Sequence, residues 1–363
     1  MLHRRAAQGT QTPRRGEKTQ PIFCTIFGAM MLVLVAEVLL LIISICVTDV
    51  GGRLNQNAKD MLAMQVRNRV GYVQDLMQDA QDLTDLSDYI DRATLSMVNT
   101  GRLDLDALNT DSKQSSALLA AIAPELVNTL RARSVTGIFV VLNTEDLRLL
   151  DVGSGVPGIY LRDLDPDARP SEENADLLIE RGSAAVVKAL GITTDKSWQP
   201  VLRYYGLKGR GFFKEPFLRA YEDNARLSEE YYGRWTTSAY TISDDDRSAI
   251  AYSQPLILPD GTVYGVVGVE LLTSYVQEKM PYEELQNEKS GAYFLVSTTA
   301  DEDAEEFVVS KLVTSSQDSY ALEAPESMMR CERRADGCWL NLHKRDYYAV
   351  AMPISLYSRN APF

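Results

Sequence analysis

The longest hydrophobic stretch in the chain is Ile22–Val47. Among its 26 residues only Thr25, Gly28, Glu37 and Ser44 are not apolar. A helix that rises about 1.5 Å per residue over this length crosses a hydrocarbon core of about 30 Å with some tilt. The pattern therefore predicts a transmembrane helix within residues 21–48.

Basic residues precede this stretch at positions 4, 5, 14, 15 and 18, against one acid, Glu17. Since basic flanks stay in the cytoplasm, residues 1–20 are predicted to form a cytoplasmic tail and the bulk of the chain to lie outside the cell membrane. A cleaved signal peptide is the alternative. The apolar core exceeds the roughly 7–15 residues that such peptides use, and no small-x-small cleavage site follows it, which favours a retained anchor.

The next segment, residues 49–110, has helical periodicity and is predicted to form a membrane-proximal stalk helix. Val66, Val70, Val73, Met77 and Ala80 are spaced four, three, four and three positions apart, which puts them on one helix face. This face can pack on the chain's own domain, on a parallel stalk helix of a second protomer, or on both. The second possibility predicts a homodimer.

Strand patterns dominate after residue 135. A hairpin signal is strongest where two apolar runs flank the turn Pro259-Asp-Gly261. Two further helices are predicted, one over Ser115–Ala132 with an interruption near Pro124 and one over Glu172–Leu190. Val135–Leu142 is predicted to form a hairpin with Leu147–Val152, and Gly158–Asp163 is predicted to form a strand.

The strand pattern then recurs in shorter form. Gly291–Ser297 parallels Gly137–Asn143, and Tyr347–Ile354 parallels Ala249–Leu256. Such a recurrence indicates a degenerate internal repeat of one α/β unit. The predicted fold class is α+β, with a larger unit over residues 111–275 and a smaller one over 276–363.

Composition excludes several functions. The net charge of the 363 residues is −13, and the +4 of the basic tail leaves −17 on the rest, a poor match for nucleic acid. The two histidines are His3 and His343, so a multi-histidine zinc site is excluded outside the membrane, and a Ser-His-Asp triad would have to use His343. No nucleophile elbow or P-loop occurs, and no metal, cofactor or catalytic residue is predicted.

Two cysteines near the end of the chain, Cys331 and Cys338, have six residues between them. In an oxidising exterior they can close a small loop, or they can remain free thiols, because spacing alone does not fix their Cα separation.

The segment Ser253–Leu271 carries Gln-Pro at a strand, a turn with Pro-Asp-Gly, and then Gly-Val-Val-Gly-Val-Glu. Together with an anchor, a long helix and two α/β units, it resembles the double Cache (dCache) sensor family, with Glu270 where Asp is commoner. The resemblance covers residues 53–363. It implies a PAS-like antiparallel sheet in each unit, bacterial small-molecule sensing outside the cytoplasm with the pocket in the membrane-distal unit, and a cytoplasmic output such as a histidine kinase, diguanylate cyclase or chemoreceptor module.

The resemblance also implies candidate ligand-binding residues. An amino-acid-binding branch of the family uses Arg-x-Trp-Tyr and, downstream, Tyr-x-Asp. Here Arg210, Phe212 and Phe213 match the first motif, Trp235 and Tyr240 lie downstream, and Ile242 replaces the acid that would hold an ammonium group. An anionic or uncharged ligand is therefore expected. Each aromatic can equally be a core residue.

Three other groups of polar residues have simpler interpretations. Arg162 and Asp163 can line the same cavity or form a surface pair, and the surface pair is the favoured expectation. Asp244–Asp246 is expected to be a solvated turn without calcium-ligand spacing. Glu37 lies within the predicted membrane helix, where a polar group is commonly satisfied by a neighbouring helix, and it is hypothesised to support a homodimer.

A ligand-sensing receptor accounts for these features best. A membrane-anchored scaffold or binding protein explains the topology but not the stalk, and an anchored hydrolase lacks a catalytic constellation. Because no second apolar run or output module follows the last predicted strand, truncation before a second transmembrane helix is expected.

Overall fold

A computed structural model describes residues 22–47, 50–168, 174–206, 212–242, 245–285, 291–300, 307–316, 331, 337–342 and 344–356. The chain divides into a unit of residues 1–60 and a compact unit of residues 61–363.

The α-helices are α1 (Ile22–Val47), α2 (Val50–Gln81), α3 (Thr84–Asn99), α4 (Ser112–Ala132), α5 (Ala184–Leu190), α6 (Lys214–Glu222), α7 (Glu229–Tyr232) and α8 (Thr273–Glu278). The strands are β1 (Gly137–Leu142), β2 (Gly155–Val156), β3 (Gly158–Asp163), β4 (Leu177–Arg181), β5 (Thr193–Gln199), β6 (Leu202–Arg203), β7 (Arg234–Trp235), β8 (Ala249–Ile257), β9 (Val263–Leu272), β10 (Ala292–Ala300), β11 (Phe307–Ser316), β12 (Cys338–Leu342) and β13 (Arg345–Ala349). Short 3-10 helices cover Leu105–Ala107 and Tyr282–Leu285.

The unit of residues 1–60 contains α1 and the first part of α2. Within α1 the segment Ile22–Ser44 has a mean hydropathy of 2.9 and is long and apolar enough to cross a membrane. Its side chains are exposed, as lipid-facing residues of a single spanning helix are. By length and composition, this helix fits the transmembrane helix that the hydrophobic pattern predicts.

The unit of residues 61–363 is built on a seven-stranded sheet in the order β5-β4-β3-β1-β9-β8-β7. All neighbouring strands pair antiparallel except β4 and β5. The hairpin β8–β9 confirms the Pro-Asp-Gly signal: Gly261 adopts a φ of +88°, which favours glycine, and Asp260 accepts a hydrogen bond from the Thr262 N–H at 2.9 Å.

The apolar stripe of the stalk segment is buried in its own unit. Val73, Met77 and Ala80 are at most 2% exposed and join one hydrophobic core with the strands. The stripe therefore packs on the chain's own domain, which was the first of the possibilities predicted for this face. The helical segment is also not continuous, because α2 ends at Gln81 and α3 begins at Thr84.

Three predicted elements differ in the structure. Leu147–Val152 forms a turn in which Leu149 and Val152 are exposed, and β1 pairs with β3 instead. The turn begins with a hydrogen bond from the Arg148 N–H to the Asp146 carboxylate at 2.9 Å. The predicted helix over 172–190 contains β4 followed by the short α5, and α4 continues through Pro124.

The last part of the chain forms two hairpins, β10–β11 and β12–β13, each a separate two-stranded sheet. The strand expected over Tyr347–Ile354 ends at Ala349. Tyr293 and Leu295 of β10 join the core of the seven-stranded sheet, while Cys331 and Cys338 form a disulfide with a Cα separation of 5.2 Å. The α+β prediction with antiparallel sheets is confirmed.

Candidate functional site

The candidate site is one face of the seven-stranded sheet, where alternate residues of β3, β1 and β9 point the same way. Gly137 of β1 pairs with Arg162 on one side and with Glu270 on the other. A Cβ at Gly137 would lie 2.8 Å from Glu270 Oε1. Glycine at this position therefore leaves the space through which Arg162 and Glu270 meet across the middle strand.

Arg162 and Glu270 form a fully buried bidentate ion pair. Arg162 Nε donates to Glu270 Oε1 at 2.6 Å, and Nη2 donates to Oε2 at 2.9 Å. Its third nitrogen, Nη1, donates to Asp245 and lies 3.5 Å from Glu180 Oε1. Each of the three guanidinium nitrogens thus contacts an acidic side chain, the kind of pairing that a desolvated arginine requires.

A second arginine joins the same carboxylates from the outside. Arg247, 23% exposed, donates to Glu180 at 2.6 Å, to Asp245 at 2.8 Å and to Asp195 at 3.0 Å. Ser197 donates to the other oxygen of Glu180 at 3.1 Å. We call Arg162, Glu180, Asp195, Asp245, Arg247 and Glu270 the ionic cluster.

The pKa directions follow from burial and pairing. Burial disfavours the charged form of Arg162, but Glu270 outweighs it, so the pKa of Arg162 is raised and the side chain stays charged. Burial likewise opposes ionisation of Asp245, yet hydrogen bonds from Arg247 and Arg162 hold its pKa below the ordinary value. Burial raises the pKa of Glu180 against the attraction of both arginines.

Aromatic rings cover this cluster. Phe212 lies against Phe139 with ring centroids 4.6 Å apart, against Tyr240 at 4.8 Å and against Tyr160 at 5.4 Å. The Arg162 guanidinium lies 5.6 Å from the centroid of the Tyr160 ring. Phe212 is therefore the ring on which the others converge.

We call the rings of Phe139, Tyr160, Phe212 and Tyr240 the aromatic cluster. The hydroxyls of Tyr160 and Tyr240 extend the polar network into it. Tyr160 donates to Glu270 Oε2, so the Tyr240 hydroxyl, 2.7 Å from that of Tyr160, acts as donor to Tyr160. Burial raises the pKa of both tyrosines well above the ordinary value, which keeps the hydroxyls protonated. The direction of donation runs from Tyr240 through Tyr160 to the carboxylate.

A cavity of about 30 Å³ lies beside Phe212 and Tyr240. It has room for about two water molecules at most. Its polar lining is basic and phenolic, with Arg181, Lys214 and Tyr204 among its walls, and no described acidic residue lines it. Burial lowers the pKa of Lys214, whose ammonium donates to the Gly206 carbonyl at 3.0 Å.

Of the residues predicted for the ligand site, the structure brings three together. Phe212 and Tyr240 stack, and Phe213 lies 5.5 Å from Phe212 at the cavity wall. Arg210 lies outside the described residues. Trp235 is not part of this group: it pairs with Tyr252 on the opposite face of the sheet, and its indole N–H donates to Gln81 of α2 at 3.2 Å.

Two expectations about charged residues were wrong. Arg162 and Asp163 are not a surface pair, because both are at most 2% exposed, and Asp163 pairs with Arg131. Of the expected solvated turn, Asp246 is exposed as expected, the Asp245 side chain is instead buried against Arg162, and Asp244 lies outside the described residues. Sequence reasoning overlooked Tyr160, although an aromatic two positions before Arg162 on the same strand must share its face. No group of metal-ligating side chains is found within the described part of the chain.

Comparisons by sequence return no match, either to a protein family model or to a curated protein. Solved structures with a related fold are sensory domains. The ligand-binding domain of the Pseudomonas aeruginosa PAO1 amino acid chemoreceptor PctC, in complex with GABA, is 10% identical over 82% of this chain and 94% of that chain, with a TM-score of 0.36. That of the Campylobacter jejuni chemoreceptor Tlp3, in complex with 4-methylisoleucine, is 12% identical over 78% and 85%, with a TM-score of 0.32.

The extracellular domain of a histidine kinase, soHK1S-Z6, is 12% identical over 64% of this chain and 70% of that chain, with a TM-score of 0.27. All three TM-scores are below 0.5, so the likeness is distant, and the ligands named belong to those proteins.

Proposed function

We propose that this chain is the small-molecule-sensing part of a bacterial membrane receptor of the double Cache type, with its ligand site under Phe212. The observation that carries the proposal is the juxtaposition of a cavity, convergent aromatic rings and a buried ionic cluster on one sheet face. Concave sites with aromatic walls and a few fixed polar groups are the usual form of small-molecule pockets.

The chemistry of the cavity favours an anionic or uncharged ligand. Arg181, which also lies 4.0 Å from Glu180, and Lys214 place positive charge at its wall, and no described acidic residue lines it. Since the cavity of about 30 Å³ is smaller than a metabolite, ligand entry requires the Phe212 ring to move. Its displacement would separate it from Tyr160 and Tyr240, and this change of packing is the proposed signal.

The test is thermal unfolding of the full chain in detergent with a panel of small carboxylates, from acetate to succinate, each beside its uncharged amide. A ligand that binds the folded state raises the midpoint with concentration. We expect carboxylates to raise the midpoint more than amides, and Lys214→Gln to reduce that difference. Lys188→Gln, an exposed lysine on α5, serves as the control because it leaves the cavity unchanged.

A panel in which no carboxylate or amide raises the midpoint, or in which Lys188→Gln and Lys214→Gln behave alike, contradicts the proposed ligand class. Phe212→Ala supplies a second test that does not depend on charge. Removing the ring opens the cavity, so it should increase affinity for ligands that the parent chain binds weakly.

The proposed topology places the N-terminus in the cytoplasm and residues 61–363 outside, because basic residues precede α1. It would be tested by labelling introduced cysteines from either side of the membrane. A transmitted signal requires a cytoplasmic output module, as the resemblance implies, and that module is part of the proposal.

A homodimer through α2 is also proposed, on a face other than the buried stripe. Leu54, Met61 and Met64 are exposed on α2 and spaced seven and three positions apart, as in a coiled-coil seam. Disulfide crosslinking of Met61→Cys, with Lys59→Cys as the off-face control, tests this interface. Equal dimerisation of Glu37→Leu and the parent chain would remove Glu37 from the proposed contact.

A further inference from the structure

A second concave surface lies on the opposite side of the sheet from the aromatic cluster. It has a volume of about 450 Å³ and is formed by the start of α3, by α7 with the loop before it, and by the end of β8 with its turn. We call it the acidic cleft. Its charged residues are Asp88, Asp91, Glu229 and Glu230, and no lysine or arginine is among its walls within the described chain.

The acids are held in place by specific contacts. Glu229 Oε1 accepts the main-chain N–H of Ile257 at 2.8 Å, and Glu230 Oε1 accepts the hydroxyl of Thr84, also at 2.8 Å. Asp91 accepts the hydroxyl of Tyr264. None of these contacts brings a positive charge, so the negative charge of the cleft is organised but not neutralised by them.

Gln254 adds an independent observation. Its side chain, 1% exposed, lies at the wall of the cleft, and its amide nitrogen donates to Ser87 at 3.2 Å and to Glu229 at 3.3 Å. The amide oxygen is buried and has no hydrogen-bond partner among the described residues. The donation to Glu229 fixes which end of the amide is the oxygen, and an unpaired buried acceptor calls for a donor.

Burial, with the charge of the cleft acting in the same direction, raises the pKa of two side chains. Burial, together with the charge of Asp91, raises the pKa of Glu229 to about 7. Burial raises the pKa of Asp91 to about 6, with the charge of Asp88 acting in the same direction and the Tyr264 hydroxyl opposing it. A cation placed between these carboxylates would relieve their repulsion.

We propose that the acidic cleft binds an organic primary ammonium group, with the Gln254 amide oxygen and the carboxylates of Glu229 and Asp91 as its acceptors. An ammonium has three N–H donors, which matches this set. The apolar walls, Leu227, Leu258 and Pro259 among them, lie beside the acids and suit the methylene chain of an aliphatic amine.

The shape of the cleft favours an organic ammonium over a metal ion. A divalent cation needs several oxygen ligands at about 2.0–2.6 Å from one point. No group of three or more metal-ligating acids meets that requirement in the described chain. A volume of about 450 Å³ instead suits a linear amine of several carbons.

The experiment is isothermal titration of the full chain in detergent at pH 7.5 with 1,4-diaminobutane, with 1,4-butanediol as the uncharged analogue and calcium chloride as the metal probe. We expect saturable binding of the diamine and none of the diol. We expect the affinity for the diamine to fall about tenfold or more in each of three variants, Glu229→Gln, Asp91→Asn and Gln254→Met. A loss of this size corresponds to one lost hydrogen bond to a charged group.

Matched control variants distinguish binding in the acidic cleft from a general effect of the protein's negative charge. Glu278→Gln and Asp75→Asn remove exposed acids elsewhere and should leave the affinity unchanged, as should Lys214→Gln at the aromatic cavity. Glu229→Gln keeps an acceptor for Ile257, so its fold should be retained, which circular dichroism checks. Absence of diamine binding to the parent chain, equal binding of the diol, insensitivity to all three cleft variants, or calcium binding in place of the amine would each overturn the proposal.

Discussion

Arg162 and Glu270 meet across a strand to which neither belongs. They lie on β3 and β9, and their side chains join over Gly137 of the intervening β1, with Nε–Oε1 and Nη2–Oε2 distances of 2.6 and 2.9 Å. Both side chains are fully buried. The ion pair thus connects three strands below the aromatic cluster, and it makes the polar interior of the sheet sensitive to any change at those positions.

Removing the arginine should be costly. Arg162→Met leaves Glu270 without a cation and weakens the pairing of Asp245, so we expect a loss of about 3–5 kcal/mol in the free energy of unfolding. Urea denaturation of the full chain measures it. Arg148→Met removes an exposed ion pair with Asp146 and should cost less than about 1 kcal/mol. Similar losses for the two variants would contradict the structural role of Arg162.

The glycine beneath the pair gives a second prediction. In Gly137→Ala the added Cβ meets Glu270 Oε1 at 2.8 Å and the Leu161 carbonyl at 3.1 Å, so the pair must shift. We expect a loss of about 1–3 kcal/mol. Gly71→Ala in α2 is the matched control, because its Cβ has no neighbour within 4 Å, and there alanine should stabilise the helix by about 0.5–1 kcal/mol.

The direction of the hydroxyl chain distinguishes the two tyrosines. Tyr160→Phe removes the donor to the Glu270 carboxylate and should cost about 1.5–3 kcal/mol. Tyr240→Phe removes the donor to the neutral Tyr160 hydroxyl together with a weaker contact to Glu270, and should cost about 0.5–1.5 kcal/mol. Thermal and urea unfolding of the two variants give the order. A larger loss of unfolding free energy for Tyr240→Phe than for Tyr160→Phe would show that the two hydroxyls donate in the opposite direction.

The raised pKa of Glu229 predicts a pH dependence of stability. Because its pKa is about 7 in the folded chain and 4.5 ordinarily, the folded state binds this proton more tightly, and the contribution of Glu229 to stability falls as pH rises from about 4.5 to 7. Glu229→Gln abolishes this titration. The variant should be more stable than the parent chain at pH 8 by about 1–3 kcal/mol and nearly equal to it at pH 4.5.

Urea unfolding of both proteins at the two pH values checks this, with Glu278→Gln as a control that should show no such pH-dependent difference. A gap that grows on acidification would mean that the carboxylate of Glu229 is stabilised, not destabilised, by folding.

The disulfide between Cys331 and Cys338 closes a short loop. Replacing both cysteines by serine should lower the free energy of unfolding by about 2–3 kcal/mol, the loop entropy of a ring of this size. Mass spectrometry before and after reduction confirms the bond in the parent chain. Unchanged stability after replacement would contradict this loop-entropy contribution.

Features that depend on local pattern could be predicted from the sequence. The run Ile22–Val47 specifies a helix long and apolar enough to cross a membrane, and the Pro-Asp-Gly turn specifies the β8–β9 hairpin because Gly261 must adopt a positive φ. The stripe from Val66 to Ala80 specifies a buried helix face. In each case the element can be predicted from residues that lie close together in the sequence.

Which polar residues lie in the interior depends on contacts between distant strands. Arg162, Glu180, Asp245 and Glu270 are spread over more than one hundred positions, and each is of a residue type that usually lies at the surface. Their burial is tolerable only because the sheet brings opposite charges together in pairs, and pairing between distant strands leaves no trace in local periodicity. The same reason separates Trp235 from Phe212: side-chain direction on a paired strand, not residue type, decides which face a ring joins.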